Sequence, residues 1–531
     1  MYKRQVQAVT EFDVTVGTPV TQANLIEQGY FYRDAFEVFR AHADSLFSVT
    51  VWGLTDNRSW RATQAPLIFD AGLQAKPAYY GIVGGELEPR MRTAVVFNGD
   101  VPIGPDAASA LDWSLLPLHE VEDVAGFQLR WAPDHLTAYV EVTDATDDAT
   151  DVVAVVVGGT TVTVGRHDAA SDTAVVTPTD AGYTVVVRVP LDPAAAEGGT
   201  LDANVLVTDG ETTSGWSAAG TTGTLTLVEP LSYVGVVAAE TAPTIDGVVD
   251  AAWAAANAVT TDNVIQGVGG ATATVRTLWA DDTLYVLAEV TDPQLDATGS
   301  DPWVQDSVEI FVDAGNAKNG PYRPEDVQIR VSYLNVVTLD HGDDAASRLQ
   351  TATAVVDGGY VVEAAIDLLD TGGVGTFHGV DFQVNDATPG VDGAPGTRTS
   401  VRTWAEPTGV GYQTTARWGV AQLLAPPFVP DPEVQLSTHV VRAGDTVTVE
   451  LSGYLPGSVV QLQLEQGTFF QWGHKLPVQL AAVTVDDQGA ATVEVLVPRR
   501  THLGSYILAA VSGELRAGEP LSVFAGGRGH R

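Results

Sequence analysis

The first chemically suggestive residues come early. Thr10-Glu11-Phe12-Asp13 closes a short apolar run, and strand alternation puts Glu11 and Asp13 on one face. Further on, Val51-Trp52-Gly53-Leu54-Thr55-Asp56-Asn57-Arg58-Ser59-Trp60 sets two tryptophans on either side of a polar turn. A carboxylate at the end of a barrel strand is placed for catalysis. Trp52 and Trp60 suit a sugar, whose C–H face stacks on indole while its hydroxyls need polar partners. Taken alone, Glu11 also fits a surface carboxylate, and both tryptophans fit a core.

A second constellation lies in the middle of the chain. Trp303 precedes the run Ser307-Val308-Glu309-Ile310-Phe311-Val312-Asp313. Val308, Ile310 and Val312 share one face of that strand, and Ser307, Glu309 and Phe311 share the other. Gln328-Ile329-Arg330-Val331-Ser332-Tyr333 and Phe382-Gln383-Val384-Asn385-Asp386 also mix polar and apolar residues along their middles. Glu309, Arg330, Gln383 and Asn385 could converge on a ligand, or form ordinary cross-strand ion pairs and solvated faces.

The elements that must position these groups change near Glu88. Before it, residues 6–14 read as a strand and residues 22–45 as an amphipathic helix with Leu25, Tyr32, Phe36 and Phe39 in phase. Residues 48–54 read as a second strand and residues 77–83 as a second helix, the alternation of a parallel α/β sheet or barrel. After it come short Val/Thr/Ala strands parted by Asp-Gly, Gly-Gly and Pro turns, the pattern of β-sandwiches. Residues 131–144 repeat at 279–292 with eight of fourteen positions identical. Asp180-Ala181-Gly182-Tyr183 returns as Asp357-Gly358-Gly359-Tyr360, so the second copy holds 29 extra residues between these landmarks. Such repetition points to duplicated domains. Pro426, Pro427, Pro430 and Pro432 form a stiff linker. Residues 434–524 alternate like an immunoglobulin-like sandwich, in which Phe469-Phe470-Gln471-Trp472 reads as a turn packed on the core, and residues 526–531 read as a disordered tail.

Composition narrows the functions. The 531 residues carry 67 acidic and 27 basic side chains, a net charge of −40, which argues against nucleic acid and against polybasic docking to membranes. Apolar residues make up 45 %, enough for several cores, and no apolar run is long enough to span a bilayer. The absence of cysteine excludes disulfides and thiolate chemistry. Residues 1–9 lack the pattern of a secretory leader.

The motifs Thr10-Glu11-Phe12-Asp13, Val51-Trp52-Gly53-Leu54-Thr55-Asp56, Ser59-Trp60, Pro66-Leu67-Ile68-Phe69-Asp70 and Lys76-Pro77-Ala78-Tyr79 strongly resemble the C-terminal end of glycoside hydrolase family 10, the β/α-barrel endo-β-1,4-xylanases. The resemblance implies that Glu11 is the nucleophile of a retaining mechanism and that Trp52 and Trp60 bound the glycone subsites. Such chemistry pairs the nucleophile with an acid/base carboxyl about 5 Å away. In the family that glutamate lies well upstream, so the expectation is a truncated barrel, residues 1–88, without xylanase activity by itself. Residues 1–5 do not fit the family pattern.

Residues 238–425 resemble a family 9 carbohydrate-binding module, on Pro243-Thr244-Ile245-Asp246-Gly247, Trp253, Leu284-Tyr285-Val286, the Trp303–Asp313 run, Gly358-Gly359-Tyr360-Val361-Val362-Glu363-Ala364, Gln383-Val384-Asn385-Asp386 and Trp418-Gly419. The resemblance implies that Trp303 and Tyr412 clamp a terminal disaccharide while Glu309, Arg330, Gln383 and Asn385 bind its hydroxyls. Ser332 and Gly409 stand where the family can hold amides, and tyrosine stacks less area than tryptophan, so weaker binding than the family norm is expected. It also implies structural calcium, with ligands that spacing does not assign; catalysis needs no cofactor. Residues 93–230 keep the scaffold landmarks but have Asp147-Asp148-Ala149-Thr150-Asp151-Val152-Val153 where the second copy has its Trp–Glu strand. They are expected to be a degenerate relative that lacks most of the segment bearing Arg330.

The fold expectation is therefore multidomain: the end of a (β/α)8 barrel, two family 9-like sandwiches, and an immunoglobulin-like sandwich over 432–525. The functional expectation is a monomeric, xylan-degrading glycosidase with carbohydrate-binding modules. Secretion is expected because the polymer cannot enter a cell. A polysaccharide-binding protein without catalysis is the alternative, and an adhesive or structural protein is a third reading that fits the sandwiches but not residues 10–83.

Overall fold

The computed structural model describes residues 7–525 apart from 17–19, 219, 343, 427 and 467–476. The features expected at residues 1–5, 469–472 and 526–531 lie outside these. The chain divides into two compact units, residues 1–425 and 426–531.

The first unit opens with two strand–helix pairs. Strands Gln7–Phe12 and Leu46–Val51 pair in parallel. Helix Gln22–Ala41 starts on an N-cap at Thr21, whose hydroxyl accepts from the Asn24 amide. It ends at Ala41 and does not run on to residue 45: residues 42–45 form a turn, and the Ser45 carbonyl accepts from the Gln7 amide, recruiting the next residues into the sheet. The helix lays Tyr32, Phe36 and Phe39 around Phe12, edge-on at 5.1–5.9 Å. The second helix, Pro77–Val83, begins on a proline and stops at Gly84 in the left-handed region, as its sequence predicts. The two helices pack closely enough that a Cβ on Gly81 would lie 2.2 Å from the Gly29 carbonyl. Both strands remain largely uncovered, and Phe31, Val38 and Phe47 are exposed.

Two β-sandwich-like bodies follow. An eleven-stranded sheet spans Thr93–Asn98 to Gly223–Pro230, and a thirteen-stranded sheet spans Tyr233–Ala238 to Gly419–Leu424. Each curls over on one core, with Val153, Val155 and Val205 meeting Val140 and Val185 in the first. Both follow the same path. The strands Thr160–Gly165, Val152–Val157, Thr200–Asp209 and Gly223–Pro230 of the first stand where Val327–Ser332, Ser307–Asp313, Phe377–Thr388 and Gly419–Leu424 stand in the second. In each, the first and last strands lie side by side and run parallel.

The repeat is thus a repeat of topology, and one expectation is corrected. The strand corresponding to the one that bears Arg330 is present in the first copy; what is absent is the long loop before it and the edge strand Val337–His341 that pairs with it in the second. Only Leu231 and Ser232 separate the two bodies. They are further joined by Arg417 Nε donating to Glu229 Oε1 at 3.0 Å and by the Asn316 amide donating to the Leu115 carbonyl at 2.8 Å.

His378 is 1 % exposed and must be neutral. The Gly315 amide donates to its Nδ1, so the proton sits on Nε2, facing the Thr376 hydroxyl. Burial pushes its pKa down to about 4. A base depressed on folding stabilises the fold above its unfolded pKa of 6.5 and loses that contribution as the pH falls towards 4. Stability of this unit should therefore fall by about 3 kcal/mol across that window from this group alone. Urea unfolding midpoints at pH 7 and pH 4 measure the loss. His378→Gln should flatten the dependence, and an unchanged slope would exclude His378 as its source.

The second unit holds a three-stranded sheet of Glu433–Leu436, Thr446–Ser452 and Ala491–Leu496, and a five-stranded sheet containing Val459–Gln466 and Gly504–Ser512. Their apolar faces share one core, and buried Tyr454 donates its hydroxyl to the Ala510 carbonyl.

Candidate carbohydrate-binding slot and carboxylate sites

In the second sandwich, register brings the predicted polar residues together. Glu309 lies opposite Arg330 on one side and Gln383 on the other, and Ser307 lies opposite Asn385. Glu309 is 1 % exposed, yet its carboxylate accepts four donors. These are Gln328 Nε2 at 2.7 Å, Arg330 Nε at 2.9 Å, Gln383 Nε2 at 3.1 Å and Asn385 Nδ2 at 2.7 Å. The second guanidinium edge of Arg330 reaches Asp340 at 2.7 Å and the Thr338 hydroxyl at 3.1 Å. Burial works against its charge, but Glu309 and Asp340 outweigh burial and raise its pKa.

Two exposed aromatic side chains flank this buried network. Trp303 is 43 % exposed and stands 6.0 Å from the Arg330 guanidinium carbon. Tyr412 is 52 % exposed, its hydroxyl bonded by Gln413 at 2.5 Å and close enough to act on the charge of Arg398. Flat apolar rings beside fixed polar groups are what a sugar ring requires. Gln328, Asp340 and Arg398 also belong to the network, Arg398 through Nη1 to Asn385 Oδ1 at 3.3 Å. Sequence reasoning missed them because each reaches the cluster across a strand pair. The alternation of Gln328 with Arg330 was the available signal.

The first sandwich has no such network at the matching positions. Register puts Ala154 in the place of Glu309, Thr163 in that of Arg330, Leu206 in that of Gln383 and Thr208 in that of Asn385.

Near the start of the chain, Glu11 is exposed at the end of its strand. Trp60, 70 % exposed, donates Nε1 to Asp13 Oδ2 at 3.0 Å, which brings the second tryptophan to the Glu11 end of the strand. Trp52 directly follows the second strand and is exposed. The turn between the tryptophans is fixed from below. Buried Lys76 contacts Asp56 at 2.9 Å and donates to the Ala65 and Leu67 carbonyls, both at 2.7 Å. Lys76 and Asp56 lie in two separate motifs, and only the fold brings them together.

Among the described residues, two groups of three carboxylates could hold a metal ion. In the second sandwich these are Asp292, Asp306 and Asp386, all buried. Burial raises the pKa of all three, that of Asp306 to about 7. Among the described residues no basic side chain pairs with them. Asp306 accepts from the amides of Asp296 and Ala387, and Asp386 from that of Ala271. Asp292 Oδ2 is buried with no hydrogen-bond partner. Hard oxygen donors with an orphaned carboxylate oxygen fit a calcium ion. The other group is Asp144, Asp151 and Asp209 in the first sandwich.

Comparison with known proteins gives the class first. Residues 4–84 match the model of glycosyl hydrolase family 10, and residues 245–425 match that of the carbohydrate family 9 binding domain-like proteins. An exoglucanase XynX of Acetivibrio thermocellus is 31 % identical over 79 % of this chain and 41 % of its own length. An endo-1,4-beta-xylanase A of Thermoanaerobacterium saccharolyticum is 31 % identical over 79 % of this chain and 39 % of its own. The chain thus spans about two fifths of the length of these relatives. A family 9 carbohydrate-binding module from Caldicellulosiruptor kristjanssonii, solved with cellotriose, is 34 % identical over 36 % of this chain and 94 % of its own, with a TM-score of 0.34.

Proposed function

We propose that this chain belongs to a secreted, modular xylan-degrading glycosidase and that its second sandwich holds the end of a β-1,4-linked chain between Trp303 and Tyr412. The observation that carries the reading is the Glu309 carboxylate, buried under four donors and flanked by two exposed aromatic rings. The network fixes the amides and the guanidinium, so hydroxyls meet donors that need no reordering. The three carboxylates beside the slot hold calcium, which supplies the positive charge that their burial demands.

Residues 1–88 are the end of a β/α barrel, in which Glu11 would attack the anomeric carbon and Trp52 and Trp60 would bound the glycone sugars. The family match and the placement of Trp60 against Asp13 support this. Residues 93–230 serve as a spacer, and residues 432–525 as an immunoglobulin-like one. A retaining mechanism needs a second carboxyl about 5 Å from the nucleophile, and the resemblance assigns no residue of the matched segment 4–84 to that role. The 531-residue chain is therefore expected to bind xylan or cellulose oligosaccharides without hydrolysing them.

Affinity electrophoresis in soluble xylan and β-glucan tests the binding. Retardation should disappear in Trp303→Ala, and equal retardation of the variant would overturn the slot. Reducing-sugar release from xylan tests the catalytic part. Release that Glu11→Ala abolishes would show that a second carboxyl is supplied after all.

A further inference from the structure

The two carboxylate groups occupy the same place in the two sandwiches. Asp144 and Asp292 each follow the Glu-Val-Thr end of a strand. Asp151 and Asp306 each immediately precede the next strand, Val152–Val157 or Ser307–Asp313. Asp209 and Asp386 each follow the residue opposite that strand's first position, Thr208 opposite Val152 and Asn385 opposite Ser307. The sites differ in what accompanies the acids. After the matching strand the first sandwich has Arg166, whose amide donates to the Asp151 carbonyl at 2.9 Å. The second has Tyr333, whose amide donates to the Asp306 carbonyl at 3.3 Å.

Arg166 turns its guanidinium into the group. Nη1 stands 2.9 Å from Asp144 Oδ2 and 3.2 Å from Asp151 Oδ2, and it also donates to the Thr146 carbonyl. The guanidinium carbon lies 5.0 Å from the centre of the Tyr183 ring. Asp144 is 7 % and Asp151 1 % exposed, so two buried anions meet a cation carried by the chain itself. Tyr183, 1 % exposed, matches Tyr360 of the second sandwich, and both hydroxyls are buried without a partner beside their acids.

We propose that Arg166 is the resident cation of the first sandwich, doing there by side chain what a metal ion does at the second site, and that removing it opens a divalent-cation site formed by Asp144, Asp151 and Asp209. A guanidinium and a calcium ion satisfy the same requirement, positive charge among buried carboxylate oxygens, and they exclude each other from one small space. The carboxylates and the Thr146 carbonyl that Arg166 now occupies are hard oxygen donors of the kind calcium takes. The first sandwich is then indifferent to chelators, while the second depends on its ion.

The test is calcium binding to the full 531-residue chain by equilibrium dialysis, in wild type, Arg166→Met and Arg166→Met/Asp209→Asn. Arg166→Met should bind one more calcium per chain than wild type, and the double variant should lose that gain. A folded Arg166→Met with wild-type stoichiometry would overturn the proposal. If Arg166→Met is unfolded in chelator, recovery of its circular dichroism with millimolar calcium supports it, and failure to recover overturns it. The wild-type stoichiometry itself reports on the second site. A value of zero would sink the calcium reading of Asp292, Asp306 and Asp386 and leave the gain in Arg166→Met as a separate result.

Discussion

Glu309→Ala will abolish measurable binding of cellobiose and xylobiose and lower the stability of the first unit by about 3–5 kcal/mol, the cost of stranding a buried charge. The carboxylate satisfies Arg330 and three side-chain amides at once. Without it the guanidinium keeps only Asp340 and Thr338, and Gln328, Gln383 and Asn385 lose the acceptor that fixes their orientation. The slot then loses both charge balance and preorganisation. Asp340→Ala is the control: it touches the same arginine from a site 40 % exposed, where an ion pair contributes about 1 kcal/mol or less. Calorimetric titration and urea unfolding read the two effects separately. Binding within ten-fold of wild type in a folded Glu309→Ala would place the sugar elsewhere.

Removing divalent cations will lower the melting temperature of the second sandwich by about 5–10 °C. Saturation at a hundred times the dissociation constant is worth about 2.7 kcal/mol, and a domain of this size shifts by about 2–4 °C per kcal/mol. The same treatment will weaken cellobiose binding at least ten-fold. Asp292 and Asp306 stand at the two ends of the loop that carries Trp303, and Asp386 directly follows Asn385 of the slot. An ion that ties the three therefore fixes one aromatic wall of the slot and one of its amides. Melting curves and titrations before and after chelation, with metal content measured by atomic emission, make the comparison. Unchanged curves in metal-free protein would remove the ion from the account.

Much of this arrangement was legible because local rules act alone at the relevant places. Pro77 and Gly84 bound the second helix by backbone chemistry that needs no tertiary help. Glu309, Arg330, Gln383 and Asn385 were readable because polar residues inside apolar strands have to find one another. The carboxylate ligands were not readable. The chain is crowded with loop aspartates, and only strand register selects Asp292 and Asp386 from among them. Arg166 was invisible for the same reason: its counterpart Tyr333 shares nothing with it but a place in a ladder. The strand of the first copy that matches Val327–Ser332 is not legible because Thr160–Gly165 shares only Val164 with it, so the ladder alone identifies it. Gln328, Asp340 and Arg398 joined the slot through pairings that alternation within one strand does not reveal.

The parallel pairing of first and last strands in each sandwich has a mechanical consequence. A chain that leaves a domain in the direction it came in emerges at the far end, so each sandwich adds its own length to the path. The last strand of the first copy, Gly223–Pro230, is eight residues long, which spans about 26 Å at the usual rise. With only Leu231 and Ser232 before the next strand, little of that displacement is lost to slack. A body without the buried polar network thus still sets how far the second sandwich stands from whatever precedes it. Deleting it would shorten the tether by a fixed step, and duplicating it would lengthen the tether by the same one.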